Sequence, residues 1–191
     1  MNNKKHLEVY INQKHVGTLA ETKDHLVAFE YSDGWIGSGF SISPVSLPLR
    51  KGVFVPKKYD PFDGLFGVFS DSLPDGWGRL LVDRLLLKNQ INPASVSALT
   101  RLAIVGNSGM GALQYQPSNE IKAVIPVMTL DELAAECGKM FDTEHSEHLD
   151  ELFRMGGSSG GARPKVNYEI EGAEWIVKFP SSIDRKNGSV K

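Results

Sequence analysis

The stretch MGGSSGGARPKVNYEIEGAEWIVKFP, residues 155–180, constrains the chain more than any other: a helical pattern runs into a glycine-rich loop, and two short apolar strands follow. Gly156, Gly157, Gly160 and Gly161 give a backbone free to take positive φ and to approach a neighbour closely, which suits a connector and an anion cradle alike. The strands are more informative. KVNYEI and EWIVKF are separated by Glu171, Gly172 and Ala173, a hairpin-sized connection. On the second strand Ile176 and Lys178 share one face, and Trp175, Val177 and Phe179 share the other. An ammonium group on so apolar a strand needs water, a carboxylate or an anionic ligand.

Gly156 and Gly161 have the spacing of the phosphate-loop signature G-x-x-x-x-G-K-[ST], but Ala162 stands where that signature needs lysine, and no Ser or Thr follows. The order is also reversed, because that motif follows a strand and opens a helix. Helix, glycine loop, strand, turn, strand fits another device. In protein kinases a glycine-rich loop covers the ATP phosphates, and a lysine on a later strand reaches them. The WIVK strand is similar, which makes Lys178 the candidate nucleotide lysine. The alternative is a surface hairpin whose terminal lysine snorkels into solvent.

Upstream, HLEVYINQKHVGTLAE alternates Leu7, Val9 and Ile11 with polar neighbours, breaks at Asn12 to Lys14 and resumes at Val16, which predicts a hairpin with one buried face. HLVAFEY supplies a third strand. From Gly34 to Phe62 the chain is punctuated by Gly and Pro without a helical period, so short strands and turns are expected, with Trp35, Phe40, Leu47, Phe54 and Val55 as core or, alternatively, as a partner surface. The period then changes. DGWGRLLVDRLLLKN predicts a helix from Gly76 with Asp75 as its cap and Arg79 facing Asp83. Asn92 and Pro93 are the favoured pair to open a second helix running through Val96, Leu99 and Ala103. VGNSGMGALQYQP reads as a glycine turn into a strand, and NEIKAVIPVM as an extended linker. Thr129 and Glu132 form a capping box for LDELAAECGKMF, and Ser146 is placed to cap EHLDELFRM.

These elements predict an α+β fold: a β-rich subdomain with two helices over 1–117, a linker over 118–130, and from 131 to 191 the beginning of a kinase-like lobe carrying the glycine-rich loop. Net charge is −2 over 191 residues, so no global basic field points to direct nucleic-acid binding. The single cysteine, Cys137, can form no intrachain disulfide and is expected as a buried thiol, consistent with a reducing, cytoplasmic setting. No run of about 18 apolar residues is available to span a bilayer. His145 and His148 are too few to complete a metal site. No nucleophilic triad is legible.

Four stretches together resemble the HipA family of toxin–antitoxin serine/threonine kinases: PVSLPLRKG, FDGLFGVFSDSLPDGWGRLLVDR, VGNSGMGALQY and GGSSGGARPKV. They are similar to that family's Ser-Leu-Pro-Leu segment, its Phe-x-x-Leu-Pro-Asp motif before a helix, its Gly-x-x-Gly-Ala strand entry and its phosphate loop, in that order. The resemblance implies a small β-rich N-terminal subdomain followed by a kinase-like lobe. It places Ser158 at the position of an autophosphorylated serine, with Ser159 beside it. Gly160, Gly161 and Ala162 fall on the backbone cradle, Lys165 on a lysine supporting the loop, and Lys178 on the lysine that contacts ATP. A phosphoserine would compete with ATP phosphates for the same amides.

The family's kinases also need Mg²⁺, an aspartate at the substrate hydroxyl, and metal-holding Asn and Asp residues from a second lobe. None of the corresponding motifs occurs in these residues. The chain is therefore expected to be catalytically incomplete by itself, as a fragment, an interrupted gene product or one part of a split system. The partners implied are a DNA-binding antitoxin, a protein substrate of the aminoacyl-tRNA synthetase class and, in the split case, a separate kinase chain. The competing expectation is a non-catalytic regulatory subunit that binds such a chain through its β-rich part.

Overall fold

The computed structural model describes residues 5–117, 128–141, 146, 148–157 and 160–180. They form an α+β chain that divides into two compact units, 1–73 with 91–120 and 74–90 with 121–191.

In the first unit, β1 (His6–Ile11) and β2 (Lys14–Glu21) form the expected hairpin, Leu7 pairing with Leu19 and Val9 with Gly17. Asn12 and Gln13 turn it with φ of 48° and 65°, the left-handed pair that matches strand twist in a two-residue turn. β3 (Val27–Tyr31), β4 (Val53–Phe54) and β5 (Gln114–Gln116) complete an antiparallel sheet in the order β4-β3-β2-β1-β5. Its buried face puts Leu7, Val9, Leu19 and Phe29 into a core with Phe69, Leu99, Leu102 and Tyr115. The Phe29 and Phe69 rings lie 5.0 Å apart. Tyr31 organises the loop beyond β3: its hydroxyl donates to Leu47 O at 2.8 Å and accepts from Ile42 N–H at 3.1 Å.

Local structure departs from expectation in several places. Residues 33–38 form a short helix, α1 (Asp33–Ser38), where only strands and turns were predicted; Ser32 Oγ accepts from Trp35 N–H and starts it, and the Trp35 side chain is buried. A second short helix, α2 (Gly67–Ser70), buries Phe69. The helix predicted from Asn92 is interrupted. Asn92 caps only a 3-10 turn (Pro93–Ser95), and Ser97 then caps a separate helix whose side chains Leu99, Leu102 and Ala103 enter the core. Of the apolar group expected as core, Trp35, Leu47 and Phe54 are buried, whereas Phe40 and Val55 are exposed.

The second unit begins with α3 (Gly76–Lys88), which precedes α4 (Ala98–Val105) in the chain. The division expected from sequence put this helix in the first subdomain; it clusters instead with the glycine loop. Trp77, Leu81, Val82, Leu85 and Leu86 are its buried side, a stripe at helical spacing. α5 (Leu130–Phe141) opens with the predicted capping box, Thr129 N–H donating to Glu132 Oε2 and Glu132 N–H to Thr129 Oγ1. α6 (Leu149–Gly156) packs on α3 and on β6 (Lys165–Ile170), which pairs antiparallel with β7 (Ala173–Lys178). Ser146 is not the direct cap of α6. It is buried, donates to Glu136 Oε2 at 2.6 Å, and accepts from His148 N–H at 3.1 Å. The linker expected within 118–130 lies outside the described residues except at Met128 to Leu130.

Candidate functional site

The glycine loop leaves α6 at Gly157 and enters β6 at Lys165. Its far side is bonded to the first turn of α3. Trp77 N–H donates to Gly161 O at 3.0 Å, and Gly161 N–H donates to the Asp75 carboxylate at 2.6 Å. Both polar backbone groups of Gly161 are thus taken by residues 75–77. A second tie runs from the Trp77 indole N–H to Lys165 O at 3.1 Å, buried. The approach is close enough that a Cβ on Gly78 would sit 2.0 Å from Gly157 O. Gly161 itself has φ of +92°, a backbone state that L side chains rarely adopt.

Lys165 is 5% exposed, and its ammonium group donates back to the carbonyls of Gly160 and Gly161. Burial pushes its pKa below the ordinary lysine value; the Asp75 carboxylate opposes that shift and the Lys178 charge adds to it. Lys178 is the direct register partner of Lys165 across the hairpin, so the two lysines share one sheet face. Lys178 is exposed. The pairing continues past it, with Phe179 N–H donating to Pro164 O at 2.9 Å. The turn uses two residues, Glu171 and Gly172, with φ of 52° and 78°.

The residues anticipated from sequence therefore divide. Gly160, Gly161 and Ala162 lie in the loop, Lys165 opens β6 with its ammonium group on the Gly160 and Gly161 carbonyls, and Lys178 is its register partner on β7. Ser158 and Ser159 lie outside the described residues. Asp75 was read as a helix cap; it occupies the cap position but makes no capping bond, because its carboxylate is engaged by the loop 86 positions away. Nothing in local sequence separates those two uses of an aspartate before a helix. Phosphate fits the chemistry of the lysine pair, whose like charges gain from a nearby anion. Among the described residues no group of three or more His, Cys, Asp or Glu is placed together as a metal-ligand set. His148 is described, whereas His145 is not.

The first unit holds a cleft of about 560 Å³, lined by Glu21, Asp24, His25, Tyr59 and Asp63 together with residues 94–98. No residue anticipated as functional lines it. Cys137 is buried, and its thiol is pushed up to about 12 by burial and by the neighbouring Glu136 charge. Among the described residues no helix is long and apolar enough to cross a membrane.

No curated protein matches the chain. Among solved structures it is similar to the toxin–antitoxin complex of HipA, HipB and operator DNA from Shewanella oneidensis MR-1, at 19% identity and a TM-score of 0.48. That match covers 92% of this chain and 38% of the other, so the chain spans well under half the length of its relative. The family model for the HipA N-terminal domain matches residues 7–116, more than half of the chain and all five strands of the first unit's sheet. The chain belongs to the HipA N-terminal domain family.

Proposed function

We propose that the chain is the N-terminal part of a HipA-type serine/threonine kinase of a toxin–antitoxin system, and that its glycine loop and Lys178 form the phosphate-holding half of an ATP site. The observation that carries this is the cross-strand pair of Lys165 and Lys178, with Lys165 already bonded into the loop. Two ammonium groups on one face favour a phosphate between or beside them, and a kinase places a strand lysine there. The catalytic aspartate and the Mg²⁺ ligands would come from a second lobe. Ser158, with Ser159 beside it, is the proposed autophosphorylation position. An antitoxin of the HipB type is the proposed partner, and a protein of the aminoacyl-tRNA synthetase class the proposed substrate.

Calorimetry of the 191-residue chain with a non-hydrolysable ATP analogue and Mg²⁺ tests the reading. Binding that weakens by about tenfold or more in Lys178→Ala is expected, the loss of one charge-assisted phosphate contact. Absent binding, or equal binding by the variant, would refute it. A second reading, a partner-binding subunit, is favoured by the apolar side chains exposed in the first unit: Val45 at 98%, Val53 at 59% and Phe40 at 58%. Charged substitutions at these three positions would then abolish association with a separate kinase chain.

A further inference from the structure

We infer that Asp75 is a positioning residue for the glycine loop: its carboxylate fixes Gly161 against the first turn of α3, so that a ligand meets residues 160–162 already held in place. The inference rests on the nucleotide reading of that loop for its ligand, but on geometry alone for the anchor.

The geometry is specific. Asp75 stands where a helix cap would normally turn inward and accept from its own first turn, yet it makes no such bond. Its Oδ1 accepts from Gly161 N–H at 2.6 Å, a short bond in which the acceptor is a charged carboxylate. Two residues on, Trp77 N–H, one of the first-turn amides that a helix leaves unsatisfied, donates to the carbonyl of the same glycine. The helix start and the loop thus complete each other's hydrogen bonding. The contact admits no side chain between the two backbones: a Cβ on Gly76 would lie 2.7 Å from Ala162 N and Cα. The Asp75 charge also acts on Lys165, whose ammonium group holds the loop through Gly160 O and Gly161 O. Gly161 is therefore an attachment point of the loop, and the amide assigned from sequence to a phosphate cradle is already occupied.

Three proteins separate an anchor from its alternatives: wild type, Asp75→Asn, which keeps an oxygen acceptor without the charge, and Asp75→Ala, which keeps neither. Amide hydrogen exchange without ligand reads the anchor directly. The expected result is exchange across residues 160–162 faster by about tenfold in Asp75→Ala and by less than about threefold in Asp75→Asn, with β1 and β2 unchanged. Unchanged exchange in Asp75→Ala, or equal acceleration in both variants, would overturn the inference. Binding of the ATP analogue with Mg²⁺ should follow the same order, Asn rescuing what Ala loses. Tighter binding by both variants would also overturn it, because the carboxylate would then be a competitor of phosphate. If none of the three binds nucleotide while the exchange pattern holds, the anchor stands and the nucleotide reading fails.

Discussion

Two helix glycines in the second unit have opposite surroundings, and replacing each by alanine isolates the cost of the loop's close approach. Gly138 lies in α5, where an added Cβ meets nothing within 4 Å. Gly78 lies in the first turns of α3, where the same carbon would be 2.0 Å from Gly157 O, 2.9 Å from Gly157 C and 2.9 Å from Pro74 Cβ. Helix propensity favours alanine over glycine by roughly 0.5–1 kcal/mol, most fully in a helix interior. Gly138→Ala should therefore stabilise the unit by about that amount. At Gly78 the same gain is opposed by a carbon–oxygen overlap that requires backbone to move by about 1 Å. The obstructing atom is no flexible side-chain tip, so the cost is set at the upper part of the roughly 1–3 kcal/mol typical of overpacking. The net expectation is destabilisation by about 1–2 kcal/mol for Gly78→Ala, a difference of about 1.5–3 kcal/mol between the two variants. Urea unfolding followed by far-ultraviolet circular dichroism measures both midpoints. Equal stabilisation by the two substitutions would refute the close packing of α3 on the loop, and with it the geometry that holds Gly161 to Asp75.

Tyr31→Phe leaves the part-buried Ile42 amide without its bond to the hydroxyl and the Leu47 carbonyl with its bond from Ser41 Oγ, and should destabilise the first unit by about 1–2 kcal/mol in the same urea assay; an unchanged midpoint would show that water replaces the hydroxyl. Cys137, raised from an ordinary value near 9.0 to about 12 by burial first and the Glu136 charge second, should resist iodoacetamide at pH 8 in the native chain and react in urea. Because the folded value lies above the unfolded one, its contribution to stability is fully present below pH 9 and is lost as pH rises toward 12, a loss that Cys137→Ala should remove.

The sheet of the first unit was legible because alternation over six or more residues fixes both a strand and its buried face, as in Leu7, Val9 and Leu19. The capping box at Thr129 and Glu132 was legible because both partners sit within one turn. Six-residue α1 was not: it is too short to display a period, and its stability comes from Ser32 at its start and from burial of Trp35. The break between Asn92 and Ser97 was missed because each is an adequate cap, and only packing of Leu99 and Leu102 into the core selects Ser97 for the longer helix. Asp75 shows the same limit within the candidate site. Local chemistry identified an aspartate before a helix, whereas its use depends on a glycine amide 86 positions away.

The placement of α3 makes both units discontinuous along the chain: the polypeptide leaves the first unit after Leu73, contributes one helix to the second, and returns at Ile91 before β5 closes the sheet beside β1. Modularity in space is therefore not modularity in sequence. A single proteolytic or genetic cut after residue 117 would release the complete sheet with α3 stripped of its α6 partner. The remaining piece would keep the glycine loop but lose the helix start that holds it. Excision of either unit as an independent domain thus requires a circular rearrangement or a bridging linker across 74–90, and separating the pieces would strip Gly161 of its bonds to Asp75 and Trp77 without touching any residue of the loop.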